Sequence, residues 1–290
     1  MFTGAITAIT TPFRNGSLDE AKLKEQVEFQ IAQGINGLVP VGTTGESPTL
    51  DFDEHFKVIE ITVKVSNGRV PVIAGVGGNS TAEALKLHEF AHKIGATAGL
   101  SVNPYYNKPS QEGLYRHFMT LAEKIPLPIV LYNIPGRCGI NMTPATVARL
   151  FNAAPKSFVA IKEAAGSCDQ VTEIKQACGI TILSGDDSLT LPFMSVGAAG
   201  VISVLSNIAP APVAKMVALA RAGNWTDAQA IHHKFYNLTK SLFLDGNPAG
   251  VKAAMQMLGR DTGEMRLPVV EASEATKKTI EANLRTVGLL

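Results

Sequence analysis

Eight short apolar runs alternate with segments of helical period over the first 222 residues, and nothing else in the chain restricts its fold as strongly. The runs are "AITAIT" (Ala5–Thr10), "GLVPV" (Gly37–Val41), "PVIAGV" (Pro71–Val76), "AGLSV" (Ala98–Val102), "PIVLYN" (Pro128–Asn133), "FVAIKE" (Phe158–Glu163), "ITILSG" (Ile180–Gly185) and "GVISV" (Gly200–Val204). They are rich in Val, Ile and Leu and scarcely alternate with polar residues, which is the texture of parallel strands covered on both faces. Between them, Leu23, Val27 and Ile31 fall on one helical stripe, and Ser17 with Glu20 and Ser80 with Glu83 read as capping boxes. Gly34 and Gly95 read as helix ends. Helical stretches also fit 52–65, 111–123, 143–151, 168–177, 188–196 and 211–222. Right-handed crossovers leave two closures for such an α/β chain, a (β/α)₈ barrel or a doubly wound open sheet. Eight units in roughly 220 residues match the barrel. We therefore expect residues 1–223 to form a catalytic (β/α)₈ TIM barrel and residues 224–290 a C-terminal helical domain of two or three helices.

The bulk properties mainly exclude. With 26 basic and 25 acidic residues the net charge is +1, so no global field draws the chain to nucleic acid or an anionic membrane. The apolar runs are too short to cross a bilayer. Met1-Phe2-Thr3-Gly4 enters a strand-like run without a basic n-region, so no signal peptide is expected. Cys138, Cys168 and Cys178 are an odd set with no paired framework, which suits a reducing, cytoplasmic setting.

A barrel carries its chemistry at the C-terminal ends of its strands. Those ends deliver Thr43 and Thr44 in "VGTTGES", Tyr105 and Tyr106 in "NPYYNKPS", Tyr132, Arg137 in "IPGRCG", Lys162, and Gly185 in "SGDDS". All six histidines (His55, His88, His92, His117, His232 and His233) fall in helical segments, and the acid pair Asp186-Asp187 lacks histidine partners. This disfavours a metal-dependent aldolase, and no cofactor is expected. Lys162 has two readings: a solvated strand terminus, or an amine that forms an imine with a ketone. The second needs a sheltered site that favours neutral amine over ammonium, and hydroxyls that pass protons to and from the carbinolamine. Tyrosine linked to threonine can do this, and Arg137 offers a planar fork for a carboxylate. The bland alternatives are a helix-capping turn for "GTTGES", a plain turn for "GVGGNS", subunit-contact aromatics for Tyr105 and Tyr106, a surface role for Arg137, and inert cysteines.

"GTTGES", "NPYYNKPSQEGLYRHF", "LYNIPGRCG", "AIKEAAG" and "LSGDDSLTL", in that order, resemble the dihydrodipicolinate synthase family of pyruvate-dependent class I aldolases. The likeness continues through "NPAGVKAAMQMLG" and "RLPVV". It implies a barrel with a helical C-terminal domain that condenses pyruvate with L-aspartate 4-semialdehyde in lysine biosynthesis. On that pattern Lys162 forms the imine, Tyr132 is the acid/base, and Thr43 links it to a Tyr106 from a neighbouring subunit. Thr44, Gly185 and the backbone of Ile202 hold pyruvate, and Arg137 binds the semialdehyde carboxylate. The resemblance also implies a homotetramer built as a dimer of dimers, and a feedback pocket for L-lysine at Ser47, His55, Asn79, Glu83 and Tyr105. Phe52 and Pro48 depart from the pattern of lysine-sensitive members and suggest altered sensitivity. A rival reading is an aldolase for a keto sugar acid such as N-acetylneuraminate, against which Arg137 and the tyrosine pair argue. Another is a silent barrel serving as a binding module.

Overall fold

A computed structural model describes residues 2–290. Eight parallel strands run β1 (Gly4–Ala8), β2 (Leu38–Val39), β3 (Ile73–Gly75), β4 (Ala98–Val102), β5 (Ile129–Asn133), β6 (Phe158–Glu163), β7 (Thr181–Ser184) and β8 (Gly200–Ser203). The sheet proceeds β2-β1-β8-β7-β6-β5-β4-β3, and a parallel bridge between Leu38 and Val72 joins its two ends. The amide of Leu38 donates to the Pro71 carbonyl and that of Gly75 to Pro40, both at 3.0 Å. A Cβ on Gly75 would run into the Val41 carbonyl, so glycine is what lets β2 and β3 meet. The ring therefore closes as a barrel, and the open-sheet alternative is set aside.

The texture of the strands follows from having two covered faces. Ile6, Val39, Ile73, Leu100, Val130, Ala160, Leu183 and Ile202 pack inside the barrel. Leu38, Ala74, Ile129, Leu131, Ile161, Ile182 and Val201 pack outward with the helices. Each strand thus needs apolar residues at consecutive positions rather than alternate ones.

The helices are α1 (Glu20–Ala32), α2 (Phe52–Ser66), α3 (Thr81–Lys93), α4 (Gln111–Lys124), α5 (Pro144–Ala153), α6 (Cys168–Ala177), α7 (Thr190–Ser195) and α8 (Pro210–Arg221). A single helical turn, Pro135–Cys138, precedes α5. Three more follow: α9 (Trp225–Ser241), α10 (Ala249–Met257) and α11 (Glu274–Val287). Ser80 caps α3 as expected, its side chain accepting the Glu83 amide. The first capping box is corrected. Asp19, not Ser17, caps α1 by accepting the Lys22 amide, because Ser17-Leu18 pairs with Phe13-Arg14 in a short antiparallel hairpin. That hairpin was not anticipated. Two-residue strands carry too little periodic signal to be read.

Two buried histidines contribute most clearly to the acid sensitivity expected of this architecture. His88 Nδ1 bonds the Ala84 carbonyl at 2.8 Å and His117 Nδ1 meets Thr81 Oγ1 at 2.9 Å, while both Nε2 atoms are buried without partners. Burial pushes each pKa from its ordinary 6.5 down to about 4. Unfolded histidines take up protons first as pH falls, so stability present above about pH 6.5 is lost as pH drops through 4, by several kcal/mol in total. Urea midpoints at pH 7 and pH 5 should show the lower value at pH 5, and His88→Leu should narrow the difference. Equal midpoints for the parent protein would rule this out.

Candidate active site

The C-terminal rim of the barrel encloses a cavity of about 240 Å³. Thr43 from the loop after β2, Gly77 after β3, Val102 on β4, Tyr132 on β5, and Arg137 and Cys138 on the following turn line it. The rim is also where backbone strain collects. Val41, Glu46, Tyr106 and Lys108 all have positive φ, and for a β-branched residue such as Val41 that is a costly conformation. Cys138 shares the wall, but burial raises its thiol to about 11, which makes it a poor nucleophile.

Lys162 is 5% exposed. It is the Cα partner of Tyr132 across β5 and β6, and its Nζ stands 4.2 Å from the centroid of the Tyr132 ring. The amine thus packs against Tyr132, which lines the cavity and is itself only 4% exposed. Gly185 makes room for it, since a Cβ there would sit 3.1 Å from Lys162 Cε and closer still to Ala164. Lys252 of α10 offers a useful contrast, being fully buried but paired: its Nζ donates to Glu46 at 2.7 Å and to the Thr11 carbonyl at 2.9 Å. Among the described residues Lys162 has no carboxylate partner of this kind. The solvated-terminus reading therefore fails: Lys162 is a buried amine packed over Tyr132, which lines the cavity.

The remaining sequence-selected residues divide by position. Thr43 lines the cavity, and Thr44 is buried beside it. Thr44 Oγ1 accepts from Asn247 Nδ2 at 3.0 Å, so its own proton is left for another acceptor. Arg137 lines both this cavity and an outer cleft with Asp245 and Asn247, and its Nη2 donates to the Asn247 carbonyl at 3.3 Å. Ile202 is buried on the inner face of β8 beside Ile6 of β1. Tyr106 is not brought in: its ring is 90% exposed. Of the lysine-pocket set, Ser47 and Tyr105 line the cavity. Burial, then the charge of Glu83, raises the Tyr105 hydroxyl, which places Glu83 near it. The Asn79 carbonyl accepts from Asn107. His55 is buried with Nε2 at 2.7 Å from the Gly75 carbonyl, and burial lowers its pKa.

Sequence reading missed two parts of this site. Asn247, in the break "DGNPAG", ties Thr44 and Arg137 to the C-terminal helices. Glu46 of "GTTGES" anchors the threonine loop, accepting from Lys252 and from the Arg266 amide at 3.2 Å. Nothing local marks either partner, because 203 and 206 residues separate the bonded pairs. Asp187, half of the acid pair, is a structural acceptor for Ser203 Oγ and the amides of Val204 and Leu205. Among the described residues no group of three or more His, Cys, Asp or Glu converges as a metal site. No helix among them is long and apolar enough to cross a membrane.

Comparison with known proteins places this geometry in context. A model of the dihydrodipicolinate synthetase family matches residues 1–287. The chain is 49% identical over 292 residues to the 4-hydroxy-tetrahydrodipicolinate synthase of Pelobacter propionicus, with 100% of each covered. It superposes on the crystal structure of dihydrodipicolinate synthase from Thermotoga maritima with a TM-score of 0.97 at 44% identity, covering 100% of both chains. DHDPS from Cyanidioschyzon merolae, solved with lysine bound, is similar at a TM-score of 0.97 and 37% identity, covering 100% of this chain and 99% of that one.

Proposed function

This chain belongs to the dihydrodipicolinate synthetase family, and we propose that it works as a lyase of 4-hydroxy-tetrahydrodipicolinate synthase activity through a pyruvate imine on Lys162. The observation that carries the imine is the buried, carboxylate-free amine over the Tyr132 ring. Lys162 Nζ attacks the pyruvate ketone, and the former carbonyl oxygen leaves as water once protonated. Loss of a methyl proton gives an enamine whose carbon bonds to the aldehyde of L-aspartate 4-semialdehyde. The amino group of that substrate then attacks the imine carbon, closing the ring and freeing Lys162.

Tyr132 is the acid/base for these transfers, relayed by Thr43 to the Tyr106 of a neighbouring subunit. The exposure of Tyr106 on its own subunit supports that last role, as does its left-handed backbone. Thr44, with its proton free, holds the pyruvate carboxylate together with the backbone around Gly185 and Ile202. No organic cofactor or metal enters this scheme. The assembly is a homotetramer of two dimers in the cytoplasm, each subunit divided between a barrel to residue 223 and a helical domain from 224. Sedimentation at working concentration tests the assembly, and a stable, fully active monomer would count against the shared tyrosine.

Arg137 binds the semialdehyde carboxylate through its two-pronged guanidinium. Arg137→Ala should raise the KM for the semialdehyde at least tenfold while that for pyruvate moves little. Equal effects on both would remove the clamp. Ser47, His55, Asn79, Glu83 and Tyr105 form a pocket for L-lysine of altered sensitivity, and turnover measured across a lysine titration checks it: a flat curve ends the idea. Borohydride reduction with pyruvate, followed by peptide mapping, tests the central step and should place the label on Lys162. Arg137 at the cavity mouth favours this substrate pair over a keto sugar acid.

A further inference from the structure

Behind the Lys162–Tyr132 pair lies a set of buried polar residues that the reaction above does not use. β5 and β6 are in register, with Tyr132 opposite Lys162 and Asn133 opposite Glu163. Strand alternation turns the first pair into the barrel and the second outward, toward the helices. Asn133 and Glu163 are both fully buried. Asn133 Nδ2 donates to Glu163 Oε2 at 3.1 Å, and Gln170 Nε2 of α6 donates to the same oxygen at 3.0 Å. Glu163 Oε1 accepts the Ala165 amide at 2.7 Å. Asn133 Oδ1 accepts from Asn103 Nδ2 of the loop after β4 and from the Met142 amide, both at 2.9 Å.

Every partner of the Glu163 carboxylate is a donor, a geometry that suits the ionised form, while burial raises its pKa above the ordinary carboxylate value. Asn133 and Glu163 are also the last residues of their strands. Where the backbone ladder ends, these side chains continue it. They tie β4, β5, β6 and α6 together one residue beyond the reacting pair. The Ala165 bond also holds the turn in which Ala164 packs against Gly185, the glycine that leaves space for Lys162 Cε.

We propose that Glu163, through its bonds to Asn133, Gln170 and the Ala165 amide, is a positioning residue that holds the Lys162 amine over the Tyr132 ring. This rests on the imine reading. A displacement of about 1 Å at a reacting group costs about 10²-fold in rate. The test uses single-turnover imine formation with pyruvate, trapped by borohydride. Glu163→Gln turns an amide donor onto neighbouring donors with almost no change in volume. It should slow trapping about 10²-fold with pyruvate KM within threefold and the circular dichroism spectrum unchanged. Adding Gln170→Glu returns an acceptor to the same contact and should recover at least tenfold of the lost rate.

A Glu163→Gln rate within threefold of the parent would overturn the proposal, as would a double variant that regains thermal stability without regaining rate. If Glu163→Gln does not fold, Gln170→Met, which removes the α6 donor to Glu163 together with the two bonds between Gln170 and Asn141, is read in the same assay. An expected fivefold or greater slowing supports the proposal, and an unchanged rate overturns it. Absence of any trapped adduct in the parent protein would instead defeat the imine itself.

Discussion

Lys162→Ala is expected to reduce turnover by roughly 10⁴- to 10⁶-fold, the scale of loss when a covalent nucleophile is removed from a site that otherwise remains. No other side chain can take its place. Lys252, the other buried lysine, is engaged by Glu46 and the Thr11 carbonyl. The fold should survive the change. Among the described residues the Lys162 amine holds no buried carboxylate, so its removal strands no charge. The truncation deletes apolar stem and leaves a small cavity, a cost in the ordinary range for one side chain. Steady-state turnover with pyruvate and L-aspartate 4-semialdehyde, alongside borohydride trapping and a thermal melt, measures all three. Full activity in this variant would sink the imine assignment, and a melt showing an unfolded protein would move the explanation from chemistry to stability.

Lys252→Met should have the opposite character, destroying stability first and activity as a consequence. The Lys252–Glu46 pair is wholly buried, with the ammonium also 4.6 Å from the centroid of the Phe13 ring. Taking one partner from a buried ion pair leaves the other charge uncompensated, at about 3–5 kcal/mol. For a chain of this size the melting temperature should drop by roughly 6 °C or more. Glu46 has a left-handed backbone in the loop that carries Thr43 and Thr44, so freeing its carboxylate loosens that loop as well. Glu46→Gln combined with Lys252→Met removes both charges and should recover a large part of the lost stability. Urea unfolding of the single and double variants checks this. An unchanged midpoint for Lys252→Met would show that the pair contributes nothing net.

The two lysines show why some of the site was legible and some was not. Lys162 could be singled out because it stands at the C-terminal end of an otherwise apolar stretch, and eight such stretches in roughly 220 residues match a barrel, whose active rim is known in advance. Lys252 sits in "NPAGVKAAMQMLG", a helix that reads as an ordinary half-apolar segment. Its role comes from Glu46, far away in the chain. Asn247 escaped in the same way, since its break in the helical pattern announces a turn and says nothing of Thr44. The Ser17 capping box failed for a more local reason. The serine had a second use in a short hairpin, and Asp19 was better placed to accept the helix amides.

Read alone, the amino-acid order was enough for the eight strands, most helix ends, the barrel and the choice of Lys162 as the lysine to ask about. Each of these depends on short-range rules: side-chain period, cap chemistry and turn residues act over a few positions. Three things depended on the folded chain. These are the bond from Asn247 to Thr44, the ion pair beneath the threonine loop, and the carboxylate behind Lys162 with donors on every side. They depend on which distant segments the barrel closure brings within about 3 Å, the range at which a hydrogen bond forms. No periodicity along the chain encodes that distance.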